Sequence, residues 1–356
     1  MRVLHVAAGN LYGGVERILE EMAAHAPAGS AHAFALSFQG RVVSGLDAAG
    51  AERHDLGPVR FSRPLSVWRA RRRLRRLVGS FDRVVAHSPW AFAIAAPLLP
   101  VGTRVLVAHD ALDGSHWTER RTARRVPSLV ICNSQYTSRA VAQWLPAVRR
   151  AVVLPPVSAP PAAAADRDAT RREFGAAPDT TVIVIASRFE SWKGHLDLLQ
   201  AASTLHGNWR VWIAGGPQRP HEAAYERQLR AAASSPSLQG RVAFLGERRD
   251  LARLLAAADV HCQPNTTPEP FGIAFVEALD AGLPVVTFDF GGASEIVTEA
   301  CGILLPASDR GALAGALQRL VDDVAARRRL GDAGPPRARW LCDPATQVAR
   351  FQEALQ

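Results

Sequence analysis

Residues 2–17 have the sequence RVLHVAAGNLYGGVER, and this stretch indicates the fold class. The apolar run Arg2–Ala7 suits a buried strand, and the pattern of Val15–Ala26 suits an amphipathic helix. Between them, Gly13 and Gly14 allow the tight turn that joins a strand to a helix. A strand, a glycine loop and a helix in this order predict a doubly wound α/β domain.

The glycine loop also has the chemistry of an anion site. The N-terminus of the following helix presents unpaired amides and the positive end of a dipole, so the loop could hold a phosphate. It lacks both the Gly-x-Gly-x-x-Gly spacing and the lysine of a P-loop. A plain turn between strand and helix therefore explains the loop equally well.

The same alternation continues along the chain in two sets. In the first half we predict strands at Ala33–Phe38, Arg83–His87, Arg104–Ala108, Leu129–Asn133 and Ala151–Leu154. In the second half we predict strands at Thr181–Ala186, Arg210–Ala214, Arg241–Leu245, Val260–Gln263, Pro284–Phe288 and Gly302–Leu305. Two sets of this kind predict two Rossmann-like domains, each with a parallel sheet flanked by helices.

A proline-rich stretch separates the two sets. From Leu154 the chain reads PPVSAPPAAAA, which has too few large apolar side chains to join a core. We predict an N-terminal acceptor-binding domain at 1–157, a linker at about 155–170, and a C-terminal domain at 171–340 that binds a nucleotide sugar. A last helix at 341–356 is expected to pack back on the first domain. Such domains carry ligand loops at the carboxyl ends of their strands, which we expect to face one another across a cleft.

Composition narrows the class of protein without choosing a function. The chain has 356 residues and a formal charge of +9, and Lys193 is its only lysine among 42 basic residues. No apolar run reaches the roughly 20 residues that span a bilayer, and the start lacks a signal-peptide pattern, so we predict a cytoplasmic protein. The four cysteines lack metal-ligand spacing and are expected to be reduced.

The loop that follows the first strand of the second set carries two cations. Arg188 and Lys193 can both reach a diphosphate there, the arginine through its planar fork and the lysine as a compact ammonium. Because a bystander cation in this chain is almost always arginine, the lone lysine favours a functional interpretation over a solvated surface charge.

Residues 263–278, QPNTTPEPFGIAFVEA, form the most specific segment. Glu269 lies in a proline-rich loop after a strand, and a helix is expected to begin near Phe271, so its amides can face an anion. Glu277 follows more than one helical turn along. The alternative makes Glu269 a carboxylate that complements the helix dipole and Glu277 a solvated helix residue.

Weaker candidates lie at other strand ends. His109 and Asp110 follow a strand of the first domain, where a lone histidine is as often structural as functional. Gly291 and Gly292 begin a further loop-to-helix turn that could cradle an anion. For contacts to the ribose and base, and for the acceptor side, we select Gly246, Glu247, Tyr12, Asp110 and Trp117.

Together these segments resemble the retaining glycosyltransferases of the GT-B fold, family four (glycosyl transferases group 1), whose members carry two glutamates separated by seven residues. The resemblance covers essentially the whole chain. It implies these roles: Gly13, Gly14, Arg188 and Lys193 bind the donor diphosphate, Glu277 binds the ribose, Glu269 with Pro270, Phe271 and Gly272 binds the donor sugar, and His109 contacts the sugar near the anomeric centre. The catalytic set is then His109, Glu269, Arg188 and Lys193.

The resemblance also implies a mechanism. The acceptor attacks from the face that the leaving group departs from, and the donor phosphate accepts its proton, so no protein base is required. Uridine diphosphate is the expected nucleotide, with guanosine or adenosine diphosphate as alternatives, and the acceptor is left open. We find no Asp-x-Asp motif suited to a metal-bridged diphosphate, so we expect no metal. We also expect no other cofactor and no nucleic-acid partner.

Other functions fit parts of the pattern. Two glutamates could serve a glycoside hydrolase, but Arg188 and Lys193 have no use for a neutral glycoside. A dinucleotide-dependent oxidoreductase is disfavoured by the glycine spacing. A sugar-nucleotide epimerase of the same architecture and a non-catalytic nucleotide-sugar-binding protein stay as alternatives.

The segment 62–78 is rich in arginine and could form a helix. Leu65, Trp68, Leu74, Leu77 and Val78 recur at helical spacing, with the arginines of Arg69–Arg76 on the remaining face. Such a helix could contact an anionic membrane or pack on its own sheet, and the sequence does not separate the two.

Overall fold

The computed structural model describes residues 1–158 and 165–356. Its contacts divide the chain into two compact units. The first comprises Met1–Ser158 with Cys342–Gln356, and the second comprises Ala159–Leu341.

The first unit is a seven-stranded, wholly parallel sheet with the strand order β3-β2-β1-β4-β5-β6-β7. Its strands are β1 (Arg2–Ala7), β2 (Ala31–Leu36), β3 (Glu52–Asp55), β4 (Arg83–Ala86), β5 (Arg104–Ala108), β6 (Leu129–Cys132) and β7 (Arg149–Val152). The helices between β1 and β7 are α1 (Gly14–Ala24), α2 (Val42–Ala48), α3 (Pro64–Leu77), α4 (Pro89–Ala95), α5 (Trp117–Ala123) and α6 (Gln135–Trp144). The inner strands are apolar on both faces because helices cover both sides of the sheet.

Strand β3 was not predicted from the sequence. Its residues Glu52, Arg53, His54 and Asp55 are all polar, and none is buried. It lies at the edge of the sheet, beside β2. An edge strand packs few side chains into the core, so a prediction based on apolar runs overlooks it.

Helix α3 buries one face and exposes the first two residues of the predicted apolar stripe. Val67, Ala70 and Leu74 are buried, whereas Leu65 and Trp68 are 68% and 57% exposed. Val67, Ala70 and Leu74 supply the contact with the core, so Leu65 and Trp68 of the predicted apolar stripe are left at the solvent surface. The two exposed side chains share the solvent side with arginines, and the Arg72 guanidinium lies 5.6 Å from the centre of the Trp68 ring.

The second unit has a six-stranded parallel sheet in the order β10-β9-β8-β11-β12-β13. Its strands are β8 (Thr181–Ala186), β9 (Trp209–Ala214), β10 (Val242–Gly246), β11 (Val260–Cys262), β12 (Val285–Phe288) and β13 (Gly302–Leu305). Its helices are α7 (Ala165–Glu173), α8 (His195–Ala202), α9 (Glu222–Ala233), α10 (Leu251–Ala257), α11 (Ile273–Asp280), α12 (Ala293–Ile296), α13 (Arg310–Asp322), α14 (Val324–Asp332) and α15 (Gly334–Cys342). The two sheets confirm the predicted fold class.

Part of the predicted linker is structured. Residues 159–164 lie outside the described residues, but α7 begins at Ala165, inside the predicted linker. Arg171 is buried and its Nη1 lies 3.1 Å from Oδ2 of Asp259. Helix α7 was not predicted because its sequence is rich in charged residues, which usually indicate a solvent-exposed segment. Here Arg171 instead forms an ion pair with Asp259 inside the second unit.

A last helix, α16 (Pro344–Ala354), belongs to the first unit. The Val157 amide donates to the Cys342 carbonyl, and Nε of Arg83 donates to the Leu355 carbonyl at 2.8 Å. Phe351 is buried, and Nε2 of Gln352 donates to Oγ of Ser30 at 2.8 Å. The final helix is thus packed on the sheet of the first unit.

Two observations bear on the cellular setting. All four cysteines, Cys132, Cys262, Cys301 and Cys342, are buried. Over residues 1–158 and 165–356, the structure contains no helix with the length and apolar character needed to cross a bilayer.

Candidate active site

The most concentrated group of polar side chains lies where the strand order of the second sheet reverses. Strand β8 is paired with β9 on one side and with β11 on the other. The loops that leave the carboxyl ends of β8 and β11 therefore start side by side. The chain then continues from β8 to β9 on one side of the sheet and from β11 to β12 on the other. Crevices of this kind are the usual ligand sites of open α/β sheets.

Backbone contacts hold these two loops together. Ser191–Lys193 form a 3₁₀ turn, and Gly194 follows with a left-handed φ of 79° before α8 begins. A Cβ at Gly194 would lie 1.9 Å from the Pro264 carbonyl oxygen. The Thr266 amide donates to the Trp192 carbonyl at 2.8 Å. This close approach places the lysine next to the proline-rich loop.

Substituting Gly194 with alanine should open this contact. The left-handed backbone and the overlap with Pro264 together are expected to cost more than the roughly 1 kcal/mol of a left-handed alanine alone. Gly240→Ala is the matched control, because Gly240 has a φ of 76° and nothing within 4 Å of its Cβ position. Chemical unfolding should show a larger loss for Gly194→Ala. Equal losses would contradict the packing described.

Glu269 is the centre of the group, and three donors converge on one of its oxygens. Oε2 accepts from Nζ of Lys193 at 2.7 Å, from Nδ2 of Asn265 at 2.9 Å and from Nε2 of Gln263 at 3.4 Å. The Lys193 and Glu269 side chains are 14% and 12% exposed. Gln263 also donates to Oδ1 of Asn265 at 3.0 Å, so both amides are held in place. A buried carboxylate needs such partners to stay charged.

One oxygen of Glu269 and two N–H donors of Lys193 are not used in hydrogen bonds within this group. Among the described residues, nothing donates to Oε1 of Glu269. The ammonium of Lys193 has three N–H donors and uses one on Glu269. Its Nζ also lies 3.9 Å from the centre of the Trp192 ring. The site thus presents an oriented acceptor beside a cation with spare donors.

Arg188 is held by its own carboxylate partner. Its Nη2 lies 2.9 Å from Oε2 of Glu190, and the side chain is 29% exposed. Nη1 is buried and has no partner among residues 1–158 and 165–356. Lys193 and Arg188 are therefore paired with different carboxylates.

Helix α11 begins where it was expected. Gly272 has a φ of 114° and precedes Ile273, the first helical residue, while Phe271 is buried and Pro270 is half-buried. Glu277 is 5% exposed, so its interpretation as a solvated helix residue is wrong. A carboxylate buried within a helix of the second unit fits a binding role better than a surface role.

The second glycine pair, Gly291 and Gly292, contacts the backbone of Glu269. Gly291 forms a parallel bridge with Glu269, and the Gly292 amide donates to the Glu269 carbonyl at 2.7 Å. A Cβ at Gly291 would lie 2.2 Å from that oxygen. The predicted anion cradle is therefore wrong for the Gly292 amide, because the backbone of the glutamate loop already occupies it.

Gly246 and Glu247 lie at the end of β10 and are both exposed. The Gly246 carbonyl accepts from the Gly215 amide at 2.8 Å, which links the ends of β10 and β9. Their predicted contact with the nucleotide stays a prediction.

The glycine loop of the first unit is partly occupied by its own helix. Gly13 precedes α1, and its amide donates to Oε2 of Glu16 at 3.1 Å. Tyr12 donates its hydroxyl to Glu20, and burial together with this contact raises the pKa of Tyr12 to about 12. An anion at Gly13 and Gly14 would have to displace the Glu16 carboxylate.

His109 follows β5, and its backbone is held in place. Nδ2 of Asn133 donates to the His109 carbonyl at 3.0 Å, and the ring nitrogen Nε2 lies 3.0 Å from Nδ1 of His87. Burial lowers the pKa of His109 to about 4. Asp110 is exposed, and Trp117 is 41% exposed with its ring against Phe61.

Several residues of these sites were not selected from the sequence. Gln263 and Asn265 follow β11 two residues apart, and this pair of amides beside the glutamate loop was the available signal. His5, His32 and His87 are polar residues at buried positions of neighbouring strands. The part of the chain that the structure describes contains no group of three or more His, Cys, Asp or Glu side chains arranged as metal ligands.

Comparison with known proteins identifies the family. The profile for glycosyl transferases group 1 matches residues 166–337, and that for glycosyltransferase family 4 matches residues 12–159. The chain belongs to the family-four glycosyltransferases. One profile lies in each unit, so both units carry the family pattern.

Curated relatives and solved structures agree with the family assignment. A GDP-mannose-dependent monoacylated α-(1-6)-phosphatidylinositol monomannoside mannosyltransferase of Corynebacterium glutamicum is 35% identical over 185 residues, which is 49% of this chain and 46% of the relative. A D-inositol 3-phosphate glycosyltransferase of the same species is 31% identical over 197 residues, 52% of this chain and 46% of the relative. The chain thus spans about half the length of the curated relatives it matches.

The fold likeness extends over the whole chain. The crystal structure of HepE from Anabaena in complex with UDP and glucose has a TM-score of 0.88 at 24% identity, covering 100% of this chain and 99% of that one. At this identity the likeness establishes the GT-B fold of the family and leaves the substrates open.

Proposed function

We propose that the protein is a retaining glycosyltransferase that moves a sugar from a nucleotide diphosphate to a hydroxyl of an acceptor. The observation that carries the proposal is Glu269, whose Oε2 is fixed by three donors while Oε1 accepts from no described residue. A fixed acceptor of this kind suits a sugar hydroxyl. We assign Glu269 and the segment Pro270–Gly272 to the donor sugar, and Glu277 to the ribose.

The positive charges supply the leaving-group chemistry. We assign Lys193 and Arg188 to the donor diphosphate, where negative charge grows as the glycosidic bond breaks. The spare donors of Lys193 and the unpartnered Nη1 of Arg188 support this assignment. Gly13 and Gly14 are assigned to the same diphosphate, with the Glu16 carboxylate as the group that gives way.

We further propose attack from the leaving-group face, with a donor phosphate oxygen accepting the acceptor's proton. The proton then leaves with the nucleotide, and the anomeric configuration is retained. His109 is assigned a hydrogen bond to the donor sugar.

The relatives bear on the choice of nucleotide. HepE of Anabaena was solved with UDP and glucose, which supports UDP, whereas the mannosyltransferase of Corynebacterium glutamicum is named for GDP-mannose. We propose a UDP-sugar, with GDP-mannose as the competing donor. For the acceptor we propose a small molecule, a saccharide or a lipid-linked saccharide, with Tyr12, Asp110 and Trp117 on the acceptor side.

The reaction is proposed to need no metal or other cofactor, because fixed cations can balance the diphosphate. The experiment is a thermal-shift panel of nucleoside diphosphates and their sugars with EDTA present, followed by detection of transferred sugar. We expect one nucleotide sugar to raise the melting temperature, and Glu269→Ala and Lys193→Ala to weaken that shift. No shift for any member, with folded protein, would contradict the proposal. Epimerised donor without transfer would indicate the epimerase alternative, and binding without any turnover would indicate the binding-protein alternative.

We also propose that α3 contacts anionic lipid at the surface of a membrane. Leu65 and Trp68 project from a helix whose exposed side is otherwise arginine, which is the pattern of an interfacial helix. Trp68→Ala should lower co-sedimentation with anionic vesicles severalfold at physiological salt. Trp340→Ala is the control, because Trp340 is 72% exposed and also lies beside an arginine. Absence of wild-type co-sedimentation would contradict the contact.

A further inference from the structure

Four histidines of the first unit form one continuous chain of hydrogen bonds across the sheet. Nδ1 of His32 lies 2.8 Å from Nε2 of His5, Nδ1 of His5 lies 2.8 Å from Nε2 of His87, and Nδ1 of His87 lies 3.0 Å from Nε2 of His109. The chain thus crosses β2 and β1 and continues past the ends of β4 and β5. We call it the histidine relay.

The relay lies inside an apolar layer. His5 and His87 are buried, and the His5 ring lies 5.0 Å from the Phe34 ring and 5.8 Å from the Phe351 ring. Burial lowers the pKa of all four histidines, to about 4 for His32 and His109. Each ring is therefore neutral near pH 7, with one N–H donor and one bare acceptor nitrogen.

A chain of neutral imidazoles has one direction. Once the first ring donates through Nδ1, the next must accept at Nε2 and donate through its own Nδ1. The proton positions of all four rings are therefore set together, and whichever contact fixes the first ring also fixes the last.

The end of the relay near α16 fixes that direction. Oγ of Ser30 donates its single hydrogen to the Pro27 carbonyl at 2.7 Å, so the same oxygen must accept from Gln352. This contact orients the Gln352 amide with Nε2 inward. Nε2 then donates its second hydrogen to Nε2 of His32, 2.8 Å away. His32 is left to donate through Nδ1.

The other end of the relay is Nδ1 of His109. With the direction set by Gln352, Nε2 of His109 accepts from His87, and Nδ1 of His109 carries the proton. Nδ1 is buried and has no partner among residues 1–158 and 165–356. A buried donor without a partner is destabilising, so its retention favours use by a ligand.

We propose that the histidine relay holds the His109 proton on Nδ1 and makes His109 a hydrogen-bond donor to a substrate oxygen. Gln352, His32, His5 and His87 are then positioning residues. The catalytic side of this proposal rests on the proposed glycosyl transfer, whereas the proton positions do not. The relay also prevents His109 from acting as a base at Nδ1, because that nitrogen already carries its hydrogen. The acceptor's proton must therefore go elsewhere, as the phosphate route requires.

The test is a long-range ¹H–¹⁵N spectrum of histidine-labelled full-length protein at neutral pH. Bare and protonated ring nitrogens differ strongly in ¹⁵N shift, and His109→Gln identifies the His109 signals. We expect Nδ1–H for His5, His32, His87 and His109. Free neutral histidine prefers the proton on Nε2, so Nδ1–H on all four rings would distinguish the relay from four independent histidines. A bare Nδ1 on His109 in the wild type would overturn the proposal.

Variants at the other end of the relay test the positioning role. Gln352→Leu removes the donor to His32, and Ser30→Ala removes the acceptor that orients Gln352. Both should shift His109 partly to the Nε2–H form. Turnover should fall in proportion to the remaining Nδ1–H population, with nucleotide affinity unchanged, because only that fraction is competent. Gln356→Leu, also in the C-terminal segment but exposed, is the control.

The outcomes separate the two proposals. An unchanged His109 tautomer in both variants, or a changed tautomer with unchanged turnover, would overturn the positioning role. A wild type that transfers no sugar would contradict the proposed function, while its spectrum would still decide the direction of the relay. If Gln352→Leu fails to fold, Ser30→Ala carries the same comparison.

Discussion

Replacing Lys193 with methionine is expected to lower kcat/KM for sugar transfer by about 100- to 1000-fold, the range seen when one preorganised charge-stabilising donor is removed. Methionine keeps much of the side-chain length and loses the ammonium. The change removes both the contact to Oε2 of Glu269 at 2.7 Å and the cation assigned to the diphosphate. The effect should fall on kcat more than on acceptor KM, because charge develops in the transition state. Initial rates with EDTA present would measure it.

The control for this prediction is Lys193→Arg, which keeps the charge but changes its shape. A guanidinium cannot place its charge as a compact ammonium does, so we expect an intermediate rate. Thermal unfolding of each variant separates lost chemistry from lost folding. A folded Lys193→Met protein with wild-type kcat/KM would exclude Lys193 from the reaction.

Acid is expected to destabilise the protein steeply between about pH 6.5 and pH 4, through the titration of buried histidines. The affected residues are His5, His32, His87, His109, His195 and His261. Burial lowers the pKa to about 4 for His32, His109 and His261 and to about 3 for His195, and well below 6.5 for His5 and His87. In the unfolded chain each of these groups takes a proton near its ordinary pKa.

The sign follows from the proton counts. Over this pH range the unfolded state binds more protons than the folded state, so the free energy of unfolding falls as pH falls. Each histidine contributes at most about 1.4 kcal/mol per pH unit. Four of the six belong to the histidine relay in the first unit, so that unit should lose more stability. Near pH 7 all six rings are neutral in the folded state and the contribution is fully present.

Urea unfolding at several pH values, followed by circular dichroism, would measure this dependence. His261→Leu is an informative comparison, because neither ring nitrogen of His261 has a partner among the described residues. In the variant, the number of protons taken up on unfolding in acid should fall by about one. Its free energy of unfolding near neutral pH should stay the same or rise. A free energy of unfolding that stays level from about pH 6.5 to pH 4 would contradict neutral, buried histidines.

Much of the fold could be predicted because its inner strands are apolar runs between glycine or proline turns. Arg2–Ala7, Arg104–Ala108 and Thr181–Ala186 were predicted with their observed bounds. Strand β3 was missed because all its residues are polar, and α7 was missed because it follows a proline-rich stretch. Charged residues predominate in both elements.

The candidate site was predictable in part for a similar reason. Lys193 stands out in a chain that otherwise uses arginine, and Glu269 stands in a segment of unusual composition. Their contact could not be predicted, because it depends on the strand order that places β8 beside β11. Asn265 and the Gly291 turn contribute through backbone and amide geometry, which leaves little trace in residue type.

The histidine relay shows a different limit of sequence reasoning. Its histidines lie within or at the ends of apolar strands, and they are far apart in sequence. Only the parallel register and the docking of α16 bring them into one chain. The direction of the hydrogen bonds depends further on Gln352 and Ser30, which no motif would select.

The most direct measurement of the central claim is calorimetric titration of wild type and Glu269→Gln with the nucleoside diphosphate and with its sugar. The substitution keeps the shape of the side chain and weakens the acceptor at Oε1. We expect the sugar to add affinity in the wild type and to add much less in Glu269→Gln, while the affinity for the nucleotide alone is largely kept. An equal sugar-dependent gain in both proteins would contradict the assignment of Glu269 to the donor sugar.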